Sequence, residues 1–85
     1  MLNEIKVYTT EPCSFCRRVK DLLSARGLTF EEVNLAKDPE GRMALAQSTG
    51  MMTFPQVVVD GELLGGFNEV LAAAESGRLD ELRAA

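Results

Sequence analysis

The sequence predicts an α/β fold in which a four-stranded mixed β-sheet, with elements in the order β-α-β-α-β-β-α, is flanked by three or so α-helices. Two observations lead to this prediction. Short segments in which polar and apolar residues alternate are interspersed with segments whose apolar residues recur at helical spacing. Late in the chain, Asp60-Gly61 is a hairpin signal between two short apolar segments. With 85 residues the chain has room for one core, so residues 1–85 are expected to form a single domain.

The first half of the chain predicts a β-α-β unit. Residues 4–9 alternate and carry β-formers, which predicts a first strand that ends before Pro12. Apolar residues at helical spacing predict a first helix over residues 14–26, and Gly27 stands where a C-terminal cap is expected. Alternation resumes over residues 28–35, so this second strand is expected to lie parallel to the first.

The middle of the chain predicts a helix and then a hairpin. Asp38-Pro39 combines a helix N-cap with a proline in the first turn, which predicts a second helix that ends near Gly50. Residues 56–59 and 62–64 flank the Asp60-Gly61 turn and are expected to pair antiparallel. This hairpin would complete the sheet.

The C-terminal segment, residues 67–85, is rich in Ala, Leu and Glu and predicts a third helix. Gly77 is expected to break that helix and leave a last turn over residues 79–83. No repeat, linker or low-complexity segment interrupts the chain. In this topology the loop after the first strand leads into the first helix, and the two cysteines of the chain, Cys13 and Cys16, stand there.

The composition, 46% hydrophobic and 26% charged, is typical of a globular protein rather than of a disordered chain. The 13 acidic and 9 basic side chains are scattered, so no basic stripe indicates a nucleic-acid partner. Apolar stretches are too short to cross a membrane, and the N-terminal residues lack a signal-peptide profile. We therefore expect a cytoplasmic monomer with neither nucleic-acid nor membrane partners.

Cys13 and Cys16 form a C-x-x-C motif, which in a chain without further cysteines or an export signal indicates catalysis or metal binding. At a helix start the first sulfur lies near free backbone N–H groups and the positive end of the helix dipole, which favour its thiolate. Cys13 is therefore predicted to be the nucleophile. Cys16, one helical turn further, is predicted to resolve a mixed disulfide on Cys13. The absence of histidine excludes Cys/His dyads and Cys/His zinc sites.

The neighbours of the cysteines have both functional and structural interpretations. Pro12 disfavours an earlier helix start, and the hydroxyl of Ser14 lies within local reach of the motif. Arg17 and Arg18 either add positive potential or solvate the helix surface, and Phe15 either lines a groove or packs in the core. The cysteine pair could also be half of a zinc site or a structural disulfide, although zinc would need two ligands from outside the chain.

Two further segments carry weaker signals. In Thr53-Phe54-Pro55-Gln56 a proline stands directly before a predicted strand, which by itself is typical of a turn or an edge strand. Gly65-Gly66 leads into a helix that opens with Asn68-Glu69. Paired glycines admit a ligand backbone and a helix N-terminus favours an anion, but a plain turn also explains the two glycines.

Taken together, these motifs resemble those of the glutaredoxin family over nearly the whole chain. The segments that carry the resemblance are Val7-Tyr8-Thr9, Cys13-Ser14-Phe15-Cys16, Thr53-Phe54-Pro55-Gln56-Val57, Asp60-Gly61 and Leu64-Gly65-Gly66. The resemblance implies a thioredoxin-like fold and a glutathione-dependent thiol–disulfide oxidoreductase that reduces protein disulfides and glutathione mixed disulfides. It implies glutathione as co-substrate, disulfide-containing or glutathionylated proteins as partners, and no tightly bound cofactor.

The resemblance also implies which residues bind glutathione. The bond before Pro55 would be cis and present the backbone of Phe54 to the substrate, and the γ-glutamyl carboxylate would lie at the start of the third helix. The implied glutathione-binding residues are Thr53, Phe54, Pro55, Gly66, Phe67 and Asn68. The supporting residues predicted around the cysteines are Pro12, Ser14, Phe15 and Arg17.

Some positions depart from the family pattern and keep alternatives open. Many glutaredoxins have a lysine where this chain has Thr10, and an Arg or Gln near Met51-Met52, and both help to hold glutathione. An electron donor that thioredoxin reductase reduces is therefore an alternative. Ser14, in place of the commoner proline, resembles members that share an iron–sulfur cluster between two protomers, where Cys13 would be the ligand.

Overall fold

The structure, a computed structural model, describes residues 3–82. These residues form four strands and four helices that alternate as the sequence predicts. The strands are β1 (Ile5–Thr9), β2 (Glu31–Asn34), β3 (Gln56–Val59) and β4 (Glu62–Gly65). The helices are α1 (Ser14–Ala25), α2 (Pro39–Thr49), α3 (Phe67–Ser76) and α4 (Arg78–Glu81). Within residues 3–82, no helix has the length and apolar character needed to cross a lipid bilayer.

The strands form one mixed sheet in the order β2-β1-β3-β4. β1 pairs parallel with β2 and antiparallel with β3, where Val7 lies opposite Val57. The β3–β4 hairpin turns at Asp60 (φ 51°) and Gly61 (φ 84°), two positive φ values that a tight hairpin turn requires. The predicted α/β fold with a parallel pair and a hairpin is therefore confirmed.

The core lies between one face of the sheet and the helices α1, α3 and α4. Alternate residues of β1 face this core, and its fully buried members come from five different elements. They are Val7, Val19, Leu23, Val57, Val70 and Leu79. The opposite face of the sheet lies towards α2, which contributes the buried Leu45. β1 is an interior strand of the sheet, and its buried residues share one core cluster with those of α1. Both ends of the loop that joins β1 to α1 are therefore anchored in the core.

β2 is shorter than the predicted strand over residues 28–35. Gly27, with φ 76°, ends α1, and the N–H of Leu28 donates to the carbonyl of Leu23 at 3.0 Å. Leu28 thus belongs to the C-terminal cap of α1. Pairing with β1 starts only at Glu31, which lies opposite Lys6. Leu28 is buried although it lies before the strand. The alternation of apolar residues in the sequence therefore extends past the true start of β2.

The predicted break in the C-terminal helix is present at Gly77, which has φ 87° and separates α3 from α4. A positive φ is easily adopted by glycine and rarely by other residues. Leu79, on the short α4, is fully buried in the core. The predicted last turn over residues 79–83 extends past Leu82, and its final residue lies outside the described residues.

Candidate active site

Cys13 and Cys16 lie at the junction of β1 and α1 and are joined by a disulfide bond, with their Cα atoms 5.3 Å apart. Cys13 is the N-cap residue of α1 and has an extended backbone, with φ −155° and ψ 97°. The chain leaves the central strand over Thr10-Glu11-Pro12 and then enters the helix. The topology thus places the two sulfurs at the edge of the sheet where β1 ends.

The two sulfurs differ in accessibility and surroundings. Cys13 is partly exposed, whereas Cys16 is only 2% exposed and packs beneath it. The N–H of Cys16 donates to the Cys13 sulfur at 3.1 Å. In the reduced protein, this N–H and the positive end of the α1 dipole would favour a thiolate on Cys13. Cys13 is therefore the more accessible of the two sulfurs, and Cys16 lies buried beside it.

The segment before β3 brings a backbone carbonyl to the reactive sulfur. The carbonyl oxygen of Phe54 lies 3.9 Å from the Sγ of Cys13. The Phe54–Pro55 peptide bond is cis, as the resemblance implies. The 3.9 Å distance places the backbone of Phe54 beside the sulfur.

Gln56 holds this segment in place, a role that the sequence analysis missed. Its side chain is fully buried, and its Nε2 donates to the carbonyls of Met51 and Thr53, both at 3.0 Å. Its Oε1 accepts from the hydroxyl of Thr49 at 2.8 Å. A glutamine in a predicted strand otherwise made of valines is the signal that could have revealed it, since a buried amide must find hydrogen-bond partners.

The junction of β4 and α3 approaches the same segment. Gly66 lies so close to Pro55 that a Cβ there would be 3.3 Å from the Pro55 carbonyl oxygen. The N–H of Gly66 donates to Glu69 Oε1 at 2.7 Å, so Glu69 caps the start of α3. At Gly65, with φ 133°, a Cβ would lie 2.6 Å from the Glu69 side chain. Gly65 therefore makes room for the helix cap, and Gly66 is the glycine that borders Pro55.

These segments enclose a groove of about 190 Å³ beside Cys13, which we call the Phe54 groove. It is lined by Phe15, Met51, Thr53, Phe54, Pro55, Gly66, Phe67, Asn68 and Glu69. All six residues for which the resemblance implies glutathione binding lie in this lining. Phe15 belongs to it as well and is 50% exposed, so of its two sequence interpretations the groove wall is the one observed.

One wall of the Phe54 groove is formed by two stacked aromatic rings. The ring centroids of Phe15 and Phe67 are 5.4 Å apart and their planes are tilted by 43°. The guanidinium carbon of Arg18 lies 4.5 Å from the Phe67 centroid and 5.4 Å from the Phe15 centroid. Arg18, which is not itself among the lining residues, thus places a positive charge against the rings of this wall.

A second cavity lies on the other side of the cysteines, and we call it the Lys20 cleft. It has a volume of about 850 Å³ and is lined largely by polar and charged side chains. Its lining comprises Thr9, Thr10, Glu11, Pro12, Cys13, Ser14, Cys16, Arg17, Lys20, Glu32 and Asn34. Three predicted supporting residues, Pro12, Ser14 and Arg17, therefore face this cleft rather than the Phe54 groove.

The departures from the family pattern divide between these two cavities. Thr10 lines the Lys20 cleft, and Met51 lines the Phe54 groove. Met52 is 84% exposed. None of these three positions supplies the cation that many glutaredoxins have there. Within residues 3–82, no three His, Cys, Asp or Glu side chains are grouped to hold a metal ion.

Glu32 is the best-connected charged residue of the Lys20 cleft. Its carboxylate accepts from the buried hydroxyl of Thr9 at 2.8 Å and from the ammonium of Lys20 at 3.1 Å. The hydrogen bond from Thr9 and then the interactions with Lys20 outweigh the cost of burial and lower the pKa of Glu32 below its ordinary value of 4.5. The folded protein therefore favours the charged carboxylate more than the unfolded chain does.

This lowered pKa predicts a loss of stability in acid. The pKa of Glu32 is lower in the folded protein than in the unfolded chain. Its contribution to the free energy of unfolding is therefore fully present above about pH 4.5 and is lost as the pH falls through the folded pKa. Glu32→Gln is expected to lower the urea midpoint at pH 7 and to approach the wild type near pH 3. The matched control is Glu31→Gln, which changes the same residue type one position earlier in β2. A constant difference between wild type and Glu32→Gln at all pH values would contradict this prediction.

Comparison with known proteins agrees with the geometry. The Glutaredoxin family model matches residues 5–64. The chain is 33% identical over 78 residues to Glutaredoxin 3 of Escherichia coli, covering 92% of this chain and 94% of that protein. It is 36% identical over 81 residues to a glutaredoxin of Pseudomonas aeruginosa, covering 95% and 96% of the two chains.

Solved structures show the same similarity. A buckwheat glutaredoxin–glutathione complex superimposes with a TM-score of 0.85 and 30% identity, over 94% of this chain and 76% of that one. The solution structure of a glutaredoxin from Brucella melitensis gives a TM-score of 0.83 and 33% identity, over 96% and 88% of the chains. Since the family model covers most of the chain and the relatives are matched over almost their full length, the chain belongs to the glutaredoxin family and is a thiol–disulfide oxidoreductase.

Proposed function

We propose that this oxidoreductase depends on glutathione and reduces both glutathione mixed disulfides and protein disulfides through Cys13 and Cys16. The observation that carries the proposal is the Phe54 groove, whose lining residue Phe54 has its carbonyl oxygen 3.9 Å from the sulfur of Cys13. A peptide thiol lying in this groove would have its sulfur beside Cys13. The similar buckwheat structure is a complex with glutathione, which supports glutathione as the peptide.

The reaction follows from the two positions of the sulfurs. The Cys13 thiolate attacks the glutathionyl sulfur of a mixed disulfide, a new S–S bond forms on Cys13, and the protein thiolate leaves and takes a proton. A second glutathione thiolate then attacks the glutathionyl sulfur, forms glutathione disulfide and returns Cys13 as a thiolate. With a protein disulfide, Cys16 attacks the mixed disulfide on Cys13 instead. That step releases the reduced partner and leaves the Cys13–Cys16 disulfide, which two glutathione molecules then reduce to the dithiol as they form glutathione disulfide.

The groove offers interactions for the rest of the tripeptide. The backbone of Phe54 would pair with the cysteinyl part of glutathione, next to Thr53 and Pro55. The γ-glutamyl carboxylate would lie at the start of α3 near Phe67 and Asn68, where free N–H groups and the helix dipole favour an anion. Met51 adds an apolar wall, which packs against the peptide without supplying charge.

The assay that tests the proposal follows the reduction of a small glutathione mixed disulfide, with glutathione reductase and NADPH as the electron source. Parallel reactions replace glutathione and its reductase by thioredoxin reductase. Turnover with the glutathione system supports the proposal. Turnover only with thioredoxin reductase would contradict it and favour the alternative that Thr10 and Met51 leave open.

Three further expectations from the sequence stay predictions. A cytoplasmic location suits a dithiol that acts as a reductant, because the cytosol keeps thiols reduced. The monomeric state is tested by gel filtration. A cluster bridged by Cys13 and glutathione would be revealed by iron–sulfur absorbance after anaerobic reconstitution, and a colourless protein would exclude it.

A further inference from the structure

The Phe54 groove contains an anion of its own. Glu69 lines the groove, and its carboxylate accepts from the N–H of Gly66 at the start of α3. Glutathione carries two carboxylates and one ammonium near pH 7, so it enters this groove as an anion. A cation close to the same wall is therefore needed to offset repulsion. Thr10, Met51 and Met52, which stand at the usual cationic positions, cannot provide it.

Arg18 is placed to supply this charge. It is exposed, and its guanidinium lies over both rings of the aromatic wall, nearer to Phe67 at 4.5 Å. Among residues 3–82 it forms no ion pair and no side-chain hydrogen bond, because the two ion pairs are Lys6–Glu4 and Lys20–Glu32. A guanidinium that lies over aromatic rings is attracted by their faces, and its N–H groups stay available for a carboxylate.

We propose that Arg18 binds the γ-glutamyl carboxylate of glutathione and is the cation of this binding site. The inference rests on the proposed function, since it names a further contact to the same substrate. The γ-glutamyl end is the relevant one because Arg18 lies nearest to Phe67, the first residue of α3. There the guanidinium and the helix N-terminus act on one carboxylate. The rings of Phe15 and Phe67 fix the guanidinium beside the groove.

Arg17 is a matched control, because it is the adjacent exposed arginine of the same helix. It lines the Lys20 cleft on the other side of the cysteines and is absent from the aromatic wall. Replacing either arginine changes the net charge of the protein equally. Only a local effect at the Phe54 groove would distinguish the two variants.

The test compares Arg18→Gln, Arg18→Lys and Arg17→Gln in the reduction of a glutathione mixed disulfide. Arg18→Gln is expected to raise the KM about five- to tenfold with kcat within about twofold, because an exposed charged contact is lost before the chemical step. Arg18→Lys should recover part of this loss, since it keeps the charge without the planar fork. Arg17→Gln should raise the KM clearly less than Arg18→Gln does, because Arg17 lines the Lys20 cleft and Arg18 lies over the aromatic wall. Equal effects of Arg17→Gln and Arg18→Gln would overturn the inference.

A substrate analogue identifies the carboxylate. In 4-aminobutanoyl-Cys-Gly the γ-glutamyl carboxylate is missing while the amine is retained, and in the glycine ethyl ester of glutathione the other carboxylate is masked. The effect of Arg18→Gln should vanish with mixed disulfides of the first analogue and persist with those of the second. If it persists with the first analogue, Arg18 does not bind this carboxylate.

A binding measurement separates this inference from the proposed function. NMR titration of the oxidised protein with S-methylglutathione needs no turnover. Weaker binding to Arg18→Gln than to Arg17→Gln would support the inference even if the wild type failed the glutathione-linked assay and the proposed function were wrong. Equal binding to both variants, or no binding to the wild type, would overturn it.

Discussion

Replacement of Cys13 by serine is expected to lower disulfide reductase activity by at least about 1,000-fold. A serine hydroxyl stays protonated near pH 7 and cannot form the S–S bond of the mixed-disulfide intermediate. Neither the N–H of Cys16 at 3.1 Å nor the α1 dipole can compensate for the missing sulfur. The measurement is the initial rate of reduction of a glutathione mixed disulfide by purified wild-type and Cys13→Ser protein.

Cys16→Ser is the matched control, because it removes the other sulfur and keeps the N–H that donates to Cys13. Reduction of glutathione mixed disulfides should persist in part, since a second glutathione can resolve the Cys13 intermediate. Reduction of an intramolecular protein disulfide should fall much further, because Cys16 no longer attacks the mixed disulfide with the partner. If Cys13→Ser kept wild-type activity, or if the roles of the two variants were reversed, the assignment of the nucleophile would be wrong.

Gln56→Leu is expected to destabilise the fold by about 2–3 kcal/mol and to impair substrate binding as well. Leucine fills a similar volume but leaves the carbonyls of Met51 and Thr53 without the amide that donates to them. The hydroxyl of Thr49 loses Gln56 but keeps the Leu45 carbonyl as acceptor. Those groups hold the segment that presents Phe54 to Cys13. We therefore expect both a lower urea midpoint and a higher KM for the glutathione mixed disulfide.

Thr49→Val tests the contact between Gln56 and Thr49 separately from the contacts of Gln56 with the two carbonyls. It removes the donor to Gln56 Oε1 and the acceptor for the N–H of Met51, at 2.8 and 3.2 Å, but it leaves both carbonyl contacts of Gln56 in place. A loss of about 1 kcal/mol and a small change in KM are expected. Two outcomes would show that the hydrogen bonds of the Gln56 amide do not hold this segment. The first is equal effects of Thr49→Val and Gln56→Leu, and the second is a Gln56→Leu protein as stable as the wild type.

The sequence by itself was sufficient for the fold class and for the two reactive residues. Alternation and helical spacing identified the elements because β1, α1 and α3 each bury one regular stripe of apolar residues. The C-x-x-C motif identified Cys13 and Cys16 because a short spacing at a helix start dictates its own local geometry. Gly77 was predictable as a break for a similar reason, since its positive φ is a property of one residue.

Only the tertiary structure decided what depends on distant parts of the chain. The pairing that starts β2 at Glu31 is with Lys6, 25 positions earlier in the chain, and the carbonyl of Phe54 lies beside the sulfur of Cys13, 41 positions away. The placement of Arg18 over Phe67 joins residues 49 positions apart, which no local pattern encodes. Local residue preferences determine secondary structure and single-turn motifs, whereas the walls of a groove form only when packing brings separate elements together.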